Sequence, residues 1–460
     1  MRAVLERVAC WLDRWAGPSI NRRIAVGALA AGAAGLLVNV ANVARDLLIA
    51  YRFGRADEVD AFLIAFLVPS LIVSVLGSAF ESGVVPVYIR VRELRGRAAS
   101  LDLLATAMAL LLGLVLFIAA VAMLGLPRLL PHLATGFDPA KIDLTRSYFC
   151  WLVPVILIGA LTASWTALMN ASERFWTAAI VPATVPLFTA LSVILTGTII
   201  GADSLILGTV AGFAAHAACL GVLLHRRGLL VLPRVGRPAP ELREAVGQYL
   251  PLIFGAGIMA LNTFVDQIVA ARLSPGSVAA LSYARKVPNF TAAALAAALG
   301  AAVLPHFAKM VARGAFDELL RTVRRFSALT FLTAGPVAAG VIVFSAPLVR
   351  LVFERGSFTA ADTAFVGPIQ ALYALQIPFY VCATLAVRAL SASGLNQRVM
   401  RIAIVNFVLN VVLTITLSHL MGARGIALAS SIVMIVSAGQ IYFNLWLHYR
   451  THSSAAQPNG

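Results

Sequence analysis

Stretches of about 20 or more apolar residues, each long enough to cross a hydrocarbon core of about 30 Å, recur along the whole chain with only short polar gaps between them. That pattern allows few folds. A chain of 460 residues that is 60% hydrophobic and 12% charged, with a mean hydropathy of +0.89, exceeds what soluble cores can bury. It is predicted to be an all-α polytopic membrane protein, with spans at 25–53, 59–88, 101–126, 147–170, 175–200, 204–224, 249–271, 276–306, 326–352, 363–390, 399–420 and 425–447. Several of these contain Gly or Pro, so kinks and tilt are expected.

Basic residues orient the spans. With the N-terminus in the cytoplasm, inside segments carry 23 of the 36 Lys and Arg, among them Arg90, Arg92, Arg95, Arg97, Arg226, Arg227, Arg321, Arg324 and Arg325. Nine fall outside, including Arg52, Arg55, Lys141 and Arg146. Both termini are therefore expected in the cytoplasm. The net charge of +16 follows from this topology and gives no reason to expect nucleic acid as a partner. Residues 1–24 lack the short apolar core and cleavage site of a signal peptide and read as a basic arm lying on the membrane surface.

Four basic residues, Arg45, Arg285, Lys286 and Arg388, lie within the spans themselves. Charge at that depth is costly and usually faces a bundle interior or a water-filled cavity, so these are candidate binding residues. A repeat supports the reading. "DLLIAYR" places Asp46 six residues before Arg52, and "DQIVAAR" places Asp266 six before Arg272. Val68–Pro69 is answered by Val287–Pro288, and Pro86 by Pro305, all at an offset of about 220 residues. Six spans separate the copies, so both halves enter the membrane in the same sense, as a parallel pseudo-twofold repeat. The expected domains are a cytoplasmic arm (1–24), a six-helix bundle (25–224), a basic linker (225–248), a second six-helix bundle (249–450) and a short tail (451–460). This is transporter architecture, with substrate expected between the bundles near the midplane.

Arg45 and Asp46 are about 100° apart on a helix and are expected to point to different partners. In "SYARKVPNF", Pro288 should loosen the helix just after Arg285 and Lys286. A basic cavity suits an anionic substrate such as a phosphate or pyrophosphate. Asp46 and Asp266, and Asn406 with Asn410 on the eleventh helix, are candidates for a coupling cation; structural capping and interhelical hydrogen bonding are the alternatives. The cysteines Cys10, Cys150, Cys219 and Cys382 are scattered and the histidines form no metal motif, so neither metal nor cofactor is expected. The sequence has no Walker loop. An ion gradient, the membrane potential or the substrate's own gradient would then drive transport.

The segment "VARDLLIAYRFGRADEVDAFLIAFLVPSLI...GSAFESGVVPVYIRVRE" resembles the first two helices of the MurJ/MviN lipid II flippase family, within the multidrug/oligosaccharidyl-lipid/polysaccharide exporter superfamily. "VDQIVAARLSPGSVAALSYARKVPNF" and "LVRLVFERGSFTAADT" resemble its seventh to tenth helices. The resemblance implies a non-enzymatic flippase of the bacterial inner membrane that moves an undecaprenyl-pyrophosphate-linked sugar precursor by alternating access. It assigns the family's cavity arginine to Arg45, its acidic neighbour to Asp46, the acid of its "TDAF" stretch to Asp60, and basic residues of its eighth and tenth helices to Lys286 and Arg388. Asn39 stands where the family has a further arginine, Gly77 where it has an acid, and twelve spans stand where fourteen are usual. A flippase for another lipid-linked unit, such as an exopolysaccharide or O-antigen repeat, therefore stays open. A multidrug cation exporter would require an acidic or aromatic cavity, and a sugar transferase would require clustered acids in long loops.

The topology has a direct test. In a cysteine-free background, Arg55→Cys should react with a membrane-impermeant maleimide added outside intact cells, and Arg95→Cys should react only after the cells are opened; the reverse pattern would invert the orientation.

Overall fold

The computed structural model describes residues 20–236, 240–296, 310, 316–392 and 395–455. Most of the expected surface arm, Cys10 and the repeat proline Pro305 lie outside the described residues. Every regular element among the described residues is helical, as the bilayer demands: with no water to bond to, backbone N–H and C=O groups have to be satisfied within the segment.

The elements are α1 (Ile20–Phe53), α2 (Asp57–Leu133), α3 (Pro139–Ala171), α4 (Phe175–Ile180), α5 (Thr184–Thr196), α6 (Asp203–His225), α7 (Pro240–Ala270), α8 (Ser277–Ala284), α9 (286–296), α10 (Phe316–Val343), α11 (Ser345–Phe353), α12 (Ala360–Ala374), α13 (Ile377–Ala392), α14 (Asn396–Met421) and α15 (Ala423–Ala455). Among the described residues, nine helical stretches are long and apolar enough to cross a membrane. One of them, α2, runs for 77 residues, or about 115 Å at 1.5 Å per residue, far more than one crossing needs. Gly96, at φ 83° and ψ −179°, breaks it into two arms, which hold the expected spans 59–88 and 101–126. The expected span 249–271 lies in α7, and 276–306 begins with α8 and α9 and continues beyond the described residues.

Two compact units, Met1–Ala260 and Leu261–Gly460, divide the chain. The division falls within α7, past the 225–248 segment expected to link the halves. The start of α7 belongs to the first unit because Leu242 enters that unit's core and Glu241 meets Arg95 at 2.6 Å. That core joins both arms of α2 to α3 and α6, through Leu76, Phe80, Met108, Ile156 and Leu220. α5 and α6 come still closer. A Cβ at Gly208 would lie 2.6 Å from the Thr189 Cα, and one at Gly212 would lie 2.7 Å from the Val185 Cα. Small residues that let backbones touch are the usual means of helix association where lipid removes the hydrophobic drive.

The second unit contains two apolar clusters. Leu319, Val323, Leu385, Ala386, Ile402 and Leu445 make up one, and Ala292, Ala334, Ala338, Val341 and Ile377 the other. Three of its expected spans are broken. The eighth is interrupted at Arg285 between α8 and α9, four residues before Asn289, whose N–H bonds back to the Arg285 carbonyl at 3.0 Å. The ninth is interrupted at Phe344, and the tenth at Leu375 and Gln376.

Gly96 takes a conformation open to little but glycine, in a spot where no atom lies within 4 Å of the methyl that alanine would add. Gly96→Ala should therefore cost about 1–3 kcal/mol through backbone strain alone. Thermal unfolding of the purified protein in detergent, compared with Gly113→Ala at a helical glycine of equally open surroundings, would measure it; equal midpoints would show that the break is relaxed.

Candidate functional site

In the first unit, Arg45 and Asp46 sit near the end of α1. The structure corrects the expectation that they part. The Arg45 guanidinium folds back on its neighbour, with Nε 3.0 Å and Nη2 2.7 Å from the same Asp46 Oδ1. The backbone offset of the two residues is as expected, but arginine's long stem spans the arc between them, and a carboxylate removed from water takes the nearest donor fork. Arg45 keeps a fifth of its side chain exposed.

Asp60 lies at the start of α2, almost wholly buried, and its partner was not foreseen. Lys141, counted in the sequence as an outside-loop charge, places its Nζ 2.9 Å from Asp60 Oδ2 and 2.5 Å from Asp57 Oδ1. Its side chain is 4% exposed. The ammonium also stands 4.1 Å from the centre of the Phe137 ring. No local pattern reveals this pairing, because 81 residues separate the partners.

The second unit gathers a larger polar group. Asp266, buried on α7, accepts hydrogen bonds from Thr414 Oγ1 at 3.2 Å and Ser430 Oγ at 3.1 Å. Arg285, at the α8–α9 break, and Asn410 lie within electrostatic or hydrogen-bonding reach of the same carboxylate. The Arg285 guanidinium is also 6.0 Å from the centre of the buried Tyr373 ring on α12. Asn406 and Asn410 are both buried, and the side-chain oxygen of each has no hydrogen-bond partner among the described residues. They open a stripe that the sequence reading saw only in part. Asn406, Asn410, Thr414 and Ser418 follow at four-residue spacing on one face of α14, and all four are buried. The missed half was legible as hydroxyl residues continuing the asparagine period.

Asp46 and Asp266 are thus related by the repeat but not by environment: the first is held by an arginine, the second by hydroxyls. Lys286 is half-buried at the start of α9. Arg388 is half-buried on α13 and has no hydrogen-bond or ion-pair partner among the described residues.

Chemically, the second unit offers a carboxylate with neutral oxygen donors, a set suited to a hard monovalent cation or a proton. The half-buried Arg45, Arg285, Lys286 and Arg388 offer positive charge, Arg45 and Arg388 from helical stretches long and apolar enough to cross a membrane, and Arg285 and Lys286 from the α8–α9 break.

Comparison with known proteins bears on the use of these groups. The family model described as lipid II flippase MurJ matches residues 49–456. A probable lipid II flippase MurJ from Rhizobium tropici is 26% identical over 428 residues, covering 90% of this chain and 79% of that protein. One from Thermotoga maritima is 26% identical over 414 residues, covering 88% and 82%. Among solved structures, lipid II flippase MurJ in an inward closed conformation superposes with a TM-score of 0.78 at 21% identity, covering 94% of each chain. An inward-facing multidrug resistance transporter of the MATE family, in the MOP superfamily, gives 0.80 at 13% identity, covering 94% of this chain and all of that one. The structural likenesses show that the chain shares the all-α fold of these transporters.

The hydroxyls on Asp266 can be weighed directly. Thr414→Val should destabilise the protein by about 1.5–3 kcal/mol, the usual worth of a buried hydrogen bond to a charged group. Thr384→Val, which loses only an exposed bond to the Tyr380 carbonyl, should change little. Unfolding midpoints in detergent provide the comparison, and equal effects would mean that Thr414 does not support the carboxylate.

Proposed function

Because the chain belongs to the lipid II flippase MurJ family, we propose that it carries lipid II, an undecaprenyl-pyrophosphate-linked sugar precursor of peptidoglycan, across the bacterial inner membrane by alternating access. The observation that carries this reading is the family match over residues 49–456. The chemistry of the membrane-spanning helices agrees with it. A pyrophosphate entering hydrocarbon needs fixed positive charge, and Arg45 supplies a planar donor fork from the first unit, while Arg285, Lys286 and Arg388 supply charge from the second. A multidrug exporter shares the fold, but a cationic cargo would be repelled by these groups.

Binding through Arg45 is an exchange. The guanidinium leaves Asp46 Oδ1 for a phosphate oxygen, so the arginine trades one anion for another, and the buried Asp46 carboxylate has to turn to another donor or take up a proton. Asp46 then sets how readily Arg45 is released. Asp266, with Asn406, Asn410, Thr414 and Ser430, is the candidate for a coupling cation, whose gradient or the membrane potential would drive the cycle. The domains act as two bundles, with both termini in the cytoplasm.

A second reading has its own support. Asn39 and Gly77 replace charged residues of the family pattern, and this thinned set suits a flippase for another lipid-linked oligosaccharide, an exopolysaccharide or O-antigen repeat.

Reconstituted flipping separates the readings. Purified protein in proteoliposomes should move lipid II, and Arg45→Ala should slow it at least about tenfold, the scale of one lost charge-assisted contact, while Arg45→Lys retains part of the rate. Movement of only the other lipid-linked substrate would replace the cargo, and an undiminished Arg45→Ala would remove that residue from the site.

A further inference from the structure

Lys141 is the buried charge that the transport reading leaves unused, and the internal repeat indicates its purpose. The repeat extends past the motifs already noted. Phe137-Asp138-Pro139-Ala140-Lys141 is answered 221 residues later by Phe358-Thr359-Ala360-Ala361-Asp362. Both phenylalanines are buried. Each is followed by the N-cap of a helix: Asp138 Oδ1 accepts from the Lys141 N–H at 2.7 Å, and Thr359 Oγ1 accepts from the Asp362 N–H at 3.4 Å. The equivalent of Asp60, counted from the paired prolines Pro69 and Pro288, is Ala279.

Both repeats therefore bring the start of their second helix to the start of their fourth, and they fasten it by different means. In the second unit the fastening is aromatic. Tyr283, one turn after Ala279, meets Phe358 edge-on at 5.9 Å and Phe353 at 5.4 Å between ring centres, and Asp362 turns back to bond the Thr359 N–H at 2.8 Å. In the first unit the residue in place of Asp362 is Lys141, which reaches across to Asp57 and Asp60. A lysine so enclosed is stable only while its carboxylates remain, and removing either side leaves a buried charge alone.

We propose that Lys141 is a positioning residue for transport: its ammonium sets the first arm of α2 against α3 and so fixes the register of the helix that follows directly on the Arg45 segment. The proposal rests on the flippase reading for its transport consequence, but the joint itself is read independently.

The test compares Lys141→Met, Lys141→Arg and the double variant Lys141→Met/Asp60→Asn in proteoliposomes containing lipid II, with amide hydrogen exchange followed over residues 57–66. Lys141→Met should reach the membrane at wild-type abundance, lose about tenfold or more in turnover and keep its half-saturating substrate concentration within about twofold, because positioning acts on turnover and not on ground-state binding. Lys141→Arg should keep at least about a third of the rate, since it preserves the charge. Exchange over 57–66 should rise in Lys141→Met and fall back in the double variant, which removes the two buried charges together and leaves only the half-exposed Asp57. Wild-type turnover by Lys141→Met would overturn the proposal, as would a slowed Lys141→Met with wild-type exchange, which would make Lys141 a direct contact to substrate. If the wild type moves no lipid II, the flippase reading fails, and the exchange data still decide whether Lys141 fastens the joint.

Discussion

An ionised side chain inside a bilayer has to bring its own solvation, and the arrangement of this protein's polar residues follows from that requirement. Hydrocarbon offers no hydrogen bonds, so each buried charge is met by a counter-charge, a ring face or a set of hydroxyls. Arg45 meets Asp46, Lys141 meets Asp57, Asp60 and the face of Phe137, and Asp266 meets Thr414 and Ser430. The three solutions differ in how easily they come apart. An arginine on its own neighbour, a fifth exposed, keeps a side open to an incoming anion. A lysine enclosed between two carboxylates does not. The first suits the substrate contact proposed for Arg45, and the second the joint proposed for Lys141.

The repeat gives this contrast an internal reference. One duplicated framework supports both units, yet corresponding positions have diverged in chemistry while keeping their places. Asp46 and Asp266 share a sequence offset and differ in partners. The joint between the second and fourth helices is ionic in one unit and aromatic in the other. Phe66 of the first unit, stacked on Phe62 and tilted against Phe213, corresponds to Arg285 of the second. At this repeat position the first unit has aromatic bulk and the second has charge.

Most of the architecture was legible in the sequence because bilayer thickness fixes span length and apolar residues report it directly. The Pro288 break was equally readable, since a missing N–H has a local consequence. Pairings were not. The Arg45–Asp46 contact ran against the angular rule for neighbours because that rule treats side chains as short, and arginine is not. Lys141 was hidden because its partners lie more than 80 residues away and its loop position suggested solvent. The α14 stripe was half visible: two asparagines drew notice, and Thr414 and Ser418, ordinary in apolar helices, did not.

That stripe has a consequence for how the protein is made. From Asn406 to Ser418 the polar face of α14 extends about 18 Å, more than half the hydrocarbon thickness, while Val405, Val408, Val412 and Ile415 on other faces are exposed. Emerging alone from the insertion machinery, such a helix would present four polar side chains to acyl chains. Its seam is covered in part by Ser430 of α15 and Asp266 of α7, which share a hydrogen bond. α15 follows α14 after a single glycine, Gly422, so the two can partition as a hairpin, whereas α7 is synthesised well before them. In order of synthesis, Asp266 therefore has Arg285 of the α8–α9 break as its early neighbour, and its two hydroxyl donors, Thr414 and Ser430, arrive only with the last hairpin.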